Sequence, residues 1–275
     1  MSRTWFVTGA SRGFGRVWSR AALERGDRVA MTARDPQSVA DVVAEFPDTA
    51  FALALDVTDR AAVEATVTEA NRLLGRLDVV VNNAGYGLFG MVEEITEEQA
   101  GAQFDTNVFG ALWVTQAALP FMRAQGSGHI IQVSSIGGVQ AFPGLGIYNA
   151  SKWALEGFSQ ALAREVGPMG IHVTLVEPTA YATDWAFSSA VRADENPAYD
   201  PVREAAIAAR ARLITERGDP QATAGAILTI VDLDQPPLRF FLGDGPHDVI
   251  RSEYAARLDE WARFEDLSRA AHRLD

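Results

Sequence analysis

Trp5-Phe6-Val7-Thr8-Gly9-Ala10-Ser11-Arg12-Gly13-Phe14-Gly15 is the stretch on which the fold turns. An apolar run enters a loop with three glycines. The loop feeds an amphipathic segment, Gly13–Arg25, that is closed by Gly26. Glycine permits the tight turn and lets the backbone approach a pyrophosphate. The first turn of the helix offers unpaired N–H groups and partial positive charge to such an anion. A glycine triplet alone marks many ordinary βα turns. Here it sits between a strand and a helix in the first βαβ unit, the context that makes it a dinucleotide-binding loop.

Working outward, short apolar runs alternate with longer amphipathic ones. Strands are predicted at Arg3–Val7, Arg28–Thr32, Phe51–Leu55, Leu77–Val81, His129–Val133, Ile171–Val176 and Arg239–Leu242. Helices are predicted at Pro36–Glu45, Arg60–Leu74, Glu97–Arg123 (broken late by Pro120), Ile147–Val166, Pro220–Leu233 and His247–Arg273. This order predicts an α/β fold, a doubly wound parallel sheet with helices on both faces. Strands of such a sheet are buried on both sides and read as continuous apolar runs, as Val79-Val80-Val81 does. Ligands sit beyond the carboxyl ends of the strands, so the residues just after each strand are the candidates for chemistry.

The bulk composition narrows the classes. The 275 residues are 48% hydrophobic and 22% charged, the balance of a globular protein. The formal net charge of −12 disfavours nucleic acid and anionic membranes as partners. Without cysteine, the chain has no disulfide or thiolate metal site, which fits the cytoplasm. The N-terminus lacks the pattern of a signal peptide, and no apolar run is long enough to span a bilayer. The four histidines, His129, His172, His247 and His272, have no ligand spacing, so no metal site is predicted.

The second strand leads into Ala33-Arg34-Asp35. Ala33 leaves empty the position where an acid would hold a ribose 2′-hydroxyl. Arg34 follows, and Arg12 stands in the glycine loop on the same side. Two guanidinium groups can fork around a phosphate, which favours NADP(H) over NAD(H). The alternative has both arginines on the surface and Asp35 accepting from a ribose of NAD.

Beyond the strand His129–Val133 lie Ser134-Ser135 and then Tyr148-Asn149-Ala150-Ser151-Lys152. Tyr148 and Lys152 share a helix face. At about 4 Å and an effective dielectric near 20, an ammonium attracts a phenolate by roughly 4 kcal/mol, enough to bring a phenol towards neutrality. Ser135 can donate to a carbonyl oxygen while Tyr148 delivers the proton.

These motifs, with Asn82-Asn83-Ala84-Gly85 and Asn107, resemble the short-chain dehydrogenase/reductase family over about the first 180 residues. The resemblance implies one Rossmann-like domain over residues 1–275, with a substrate lid at about 179–215 and a C-terminal helical extension at about 246–275. It implies Tyr148 as acid and base, Ser135 orienting the substrate oxygen, and Lys152 acting on the tyrosine and the nicotinamide ribose. Asn107 would hold a water. Gly9, Ser11, Arg12, Gly13, Phe14 and Gly15 would carry the pyrophosphate, with Arg34 on the 2′-phosphate. Asp56 and Val57 would meet the adenine, Asn83, Ala84 and Gly85 the adenosine ribose, and Val176, Glu177, Pro178 and Thr183 the nicotinamide. It further implies a homodimer or homotetramer, through Glu97–Arg123 and Ile147–Val166. One departure stands out. Thr179 follows Pro178 where family members usually carry glycine, which predicts an unusual path for Thr179–Thr183.

The substrate end is the least legible. Trp185, Phe187, Phe89, Phe142 and Leu145 are candidate apolar walls, pointing to a hydrophobic or aromatic carbonyl compound as the small-molecule substrate. The reading is an enzyme that interconverts a ketone or aldehyde and an alcohol. Its competitors are a silent NADP(H)-sensing protein and a nucleotide-sugar epimerase or dehydratase.

Overall fold

The computed structural model describes residues 2–183, 185, 189–213 and 217–272. In chain order the elements are β1 (Thr4–Val7), α1 (Gly13–Glu24), β2 (Arg28–Ala33), α2 (Ala40–Glu45), β3 (Ala50–Ala54), α3 (Arg60–Leu74), β4 (Val79–Asn82), β5 (Leu88–Phe89), α4 (Glu97–Phe104), α5 (Ala111–Gln125), β6 (Gly128–Val133), α6 (Gly146–Val166), β7 (Ile171–Pro178), β8 (Val191–Arg192), α7 (Asp200–Leu213), α8 (Thr223–Asp232), β9 (Arg239–Leu242), α9 (Pro246–Arg263) and α10 (Glu265–Ala270).

Seven strands form one parallel sheet in the order β3-β2-β1-β4-β6-β7-β9. The chain leaves β1 in one direction and returns to its other side at β4. Ligand crevices open at such a switch point. Alternation along β1 builds both cores. Trp5 and Val7 pack with Trp18 of α1 and Ile227 of α8 on one face. Phe6 packs with Val63 and Val67 of α3 and Met122 of α5 on the other. Full burial of each large side chain contributes roughly 2 kcal/mol. The indole N–H of Trp5 donates to Asp27 and that of Trp18 to Thr223, each at 2.8 Å, so neither polar edge is orphaned.

Three expectations need correction. The segment Glu97–Arg123 is not one helix ended by Pro120. A π-helical turn over Asp105–Gly110 divides it, and α5 runs on past Pro120 to its cap at Gly126, in the left-handed region at φ 66°. Pro120 lies inside α5 on an exposed face, where water can satisfy the carbonyl it strands. The segment Pro36–Glu45 begins as a tight 3-10 turn capped by Asp35 before α2. The C-terminal helix breaks at Phe264 into α9 and α10. Its Leu258, Trp261 and Phe264 are exposed. Arg257 meets the domain by lying over the Trp153 ring of α6, 4.9 Å from its centroid.

Candidate active site

The carboxyl ends of β1, β4, β6 and β7 converge on a cavity of about 630 Å³. Its floor is the glycine loop. Gly9 and Gly13 sit at φ 65° and 55°, where a side chain is strained. Gly15 is required by close approach: a Cβ there would lie 2.6 Å from the Gly9 carbonyl oxygen and 2.5 Å from Asn83 Nδ2. Asn83 pins the loop, its Nδ2 donating to the carbonyls of Thr8 and Gly9 at 2.9 and 3.0 Å. Thr8 Oγ1 in turn accepts from the backbone of Asn83 and Ala84 at 3.0 Å. Asn82 turns the other way and ties β4 to Thr115 of α5 at 3.0 Å.

The N-terminus of α1 has no side-chain cap and no acid in its first turn. The first N–H groups of a helix lack intrahelical partners, and an end left without a cap or an acid suits an anion. Nearby arginines of α1 are consumed by carboxylates: Arg16 by Asp41, Arg20 by Glu24 and Glu45, Arg25 by Asp27. Arg12 and Arg34 line the cavity and, among the described residues, carry no salt bridge. Asp56 lies past β3, where hydrogen bonds from Thr58 and the charge of Arg34 hold its carboxyl below the usual range. Ser11, Phe14, Val57, Ala84, Gly85, Pro178 and Thr183 also line the cavity.

The other half of the site hangs on α6. Tyr148 and Lys152 are buried, 4% and 6% exposed, yet both line the cavity. Lys152 Nζ donates to the Val133 carbonyl at 2.8 Å and stands 5.8 Å from the centroid of the Tyr148 ring. Burial pushes the lysine down to about 8, against the raising effect of Glu156. Ser135 follows β6 and accepts from the Gly137 N–H at 3.0 Å, which fixes its hydroxyl at the cavity edge.

Asn107 does not line the cavity. It sits in the π-helical turn, where its Oδ1 accepts from the Tyr86 N–H at 3.1 Å. Its Nδ2 donates to the Tyr86 carbonyl and to Ser151 Oγ, both at 3.2 Å. Ser151 Oγ donates to the Tyr148 carbonyl at 2.7 Å. Asn107 thus joins the Gly85-Tyr86 loop to the helix that carries Tyr148 and Lys152. π-bulges recur at functional sites for this kind of reason.

Thr179 leaves no distortion behind it. Its N–H and hydroxyl both bond the Leu242 carbonyl, at 2.9 and 3.3 Å, and among the described residues no non-glycine residue has positive φ. The adjustment is made across the sheet at Gly243, φ 115°, where a Cβ would lie 2.1 Å from Thr179 Oγ1.

Of the apolar candidates, Trp185 lines the cavity, with its ring 4.9 Å from Tyr148 and 5.4 Å from Phe89. Phe89 stands behind that indole and carries Arg192 over its other side, 4.6 Å from the centroid. Leu145 is buried and bridges Gly90, and the Phe142 carbonyl serves Leu145 and Asn149; neither side chain lines the cavity. Phe187 lies outside the described residues. Tyr86, Tyr181 and Arg217 line the cavity although sequence patterning did not single them out. Tyr86 had a signal, being next to Gly85. Tyr181 and Arg217 had none: a parallel bridge between Tyr181 and Gly218, with the Ala182 N–H on the Gly218 carbonyl at 2.9 Å, brings them there.

Comparison with known proteins agrees with this geometry. The chain is 41% identical over 262 residues to oxidoreductase BOA17 of Botryotinia fuckeliana, covering 94% of each. It is 37% identical over 243 residues to a 3-ketodihydrosphingosine reductase of Bacteroides thetaiotaomicron, covering 86% of each. The solved structure of a short-chain dehydrogenase from Streptomyces avermitilis superposes with a TM-score of 0.91 at 39% identity, covering 99% of this chain and all of that one. Residues 3–194 match the short chain dehydrogenase family, a family of nicotinamide-dependent oxidoreductases, and the chain belongs to it.

Proposed function

We propose that this protein interconverts a ketone or aldehyde and an alcohol with NADP(H), and that Tyr148 is its acid and base. The observation that carries this is the placement of Tyr148: buried on α6, facing the cavity, one helical turn before a lysine held by Val133. A bound nicotinamide supplies or accepts the hydride. The protein's own residues bind, orient and move the proton. Ser135 donates to the substrate oxygen. Tyr148 passes its phenolic proton to that oxygen in reduction and takes one back in oxidation. The Lys152 ammonium, 5.8 Å from the centroid of the Tyr148 ring, favours the phenolate over the phenol. Asn107 fixes the backbone on which these groups stand.

The cofactor preference rests on Arg12 and Arg34, which line the cavity and, among the described residues, form no salt bridge, as a 2′-phosphate needs. Asp35, the competing acid, spends Oδ1 on the Gln37 N–H at 2.9 Å. The Trp185 and Phe89 wall supports a hydrophobic or aromatic carbonyl substrate, and one relative is named as a 3-ketodihydrosphingosine reductase. A homodimer or homotetramer through α4–α5 and α6 belongs to the same proposal, supported by Phe109 and Trp153, which stand exposed on these faces. Among the described residues no helix is long and apolar enough to cross a membrane, and cytoplasmic residence is proposed with the rest. NADPH and NADH oxidation at 340 nm over ketones and aldehydes from small aliphatic to bulky aromatic tests the reading. Turnover with NADPH on the bulky members is expected, and turnover confined to NADH would overturn the cofactor assignment.

A further inference from the structure

A buried acid pair lies directly behind the proposed reacting groups. Tyr148, Lys152 and Glu156 recur every fourth residue and climb one face of α6. Glu156 is 6% exposed, and Glu177 of β7 is 1% exposed. Arg239 at the start of β9 serves both, its Nε standing 3.0 Å from Glu156 Oε2 and 3.6 Å from Glu177 Oε1. Its Nη2 is spent on Gln160 of α6 at 3.0 Å. Ser134, at the end of β6, closes the cluster. A Cβ on Gly138 would fall 2.6 Å from Ser134 Oγ and 3.3 Å from Glu156 Oε1. The charges acting on the pair are therefore Arg239 and, through Glu156, Lys152.

Glu156 Oε1 and Glu177 Oε1 are both buried without a hydrogen-bond partner. Two ionised carboxylates can only accept, so neither can satisfy the other. A single proton resolves the conflict, because a carboxyl O–H on one can donate to the carboxylate of the other. Burial pushes both acids up, and Glu177 is pushed further by the charge of Glu156. Like charges crowded in one site titrate as a pair.

We propose that Glu156 and Glu177 hold one proton between them, and that the remaining negative charge is the buried counter-charge of Lys152. Glu156 is then a positioning residue. It keeps the lysine charged, and so the tyrosine acidic, in a place where burial alone would discharge it. The inference rests on the role given above to Lys152.

Lys152 is the only lysine in the chain. Protein grown with ¹³C,¹⁵N-lysine therefore gives a single lysine side-chain signal, whose pH midpoint can be read with no substrate. Glu156→Gln leaves the negative charge on the more distant Glu177 and is expected to lower the midpoint by about half a pH unit or more. Glu177→Gln confines the charge to Glu156 and is expected to raise it. Opposite shifts are the signature of one shared proton. Shifts in the same direction, or none in either variant, overturn the proposal. If Glu156→Gln does not fold, the Glu177→Gln midpoint decides alone, a rise supporting the proposal and a fall or no change overturning it. Turnover by Tyr148→Phe would overturn the proposed reaction without touching this titration, so the two failures are distinguishable.

Discussion

The two halves of the cleft are built differently. The half around β1 and α1 is held by close backbone packing: Gly9 and Gly15 lie against each other and against Asn83 and Ala84, and the Asn83 amide bonds the Thr8 and Gly9 carbonyls. The half that covers Tyr148 is held by side chains that reach across the chain. Trp185 leans on Phe89, Thr179 bonds Leu242, and Arg203 of α7 reaches the buried Glu94 at 2.6 Å. The first half leaves little freedom for a side chain to differ. The second can be rebuilt by exchanging long-range contacts without disturbing the sheet. A fixed end for the proposed cofactor and a replaceable end for the proposed substrate follow from that difference.

Substitutions in each half can break or sharpen this contrast. The largest effect is expected for Gly15→Val. Its side chain must displace backbone at 2.6 Å, so NADPH binding should vanish and stability fall by about 2 kcal/mol or more, read by calorimetric titration and thermal melting. Next comes Arg34→Ala, expected to weaken NADPH about tenfold to a hundredfold while sparing NADH. Equal losses for the two cofactors would remove the 2′-phosphate from the account. Trp185→Ala should raise KM for bulky aromatic carbonyls several-fold and leave NADPH affinity alone. A loss of NADPH affinity in that variant would mean that the two halves are not separable.

The smallest effect is expected where α7 is anchored to Glu94. Arg203 and the backbone N–H groups of Asn196 and Met91 hold Glu94 down at about 2. A carboxyl depressed in the folded state contributes stability that is full above its unfolded value, near 4.5, and is lost as pH falls towards 2. Glu94→Gln should therefore flatten the acid limb of the stability with which α7 is held over that window. Hydrogen exchange of the α7 amides measures it.

The same contrast explains what could be read from the sequence. The glycine loop, the strand ends and the Tyr148–Lys152 spacing are local patterns, and each was placed by residue number. The π-helical turn was missed because its cause is a contact, Asn107 with Tyr86 and Ser151, which periodicity does not encode. Pro120 was misjudged because the cost of a proline depends on exposure, which follows from the packing of α5. Gly243 carried no signal for its partnership with Thr179, more than sixty positions away. The long-range half of the site was legible only as a cluster of aromatic residues.

The central claim is that Tyr148 moves the proton. Tyr148→Phe keeps the ring against Trp185 and removes only the hydroxyl. NADPH-dependent carbonyl reduction by this variant should fall by at least about a thousandfold. Its NADPH affinity should stay within about twofold of that of the unaltered protein, since the half of the cleft that holds the nucleotide is untouched. Comparable turnover by Tyr148→Phe would contradict the account.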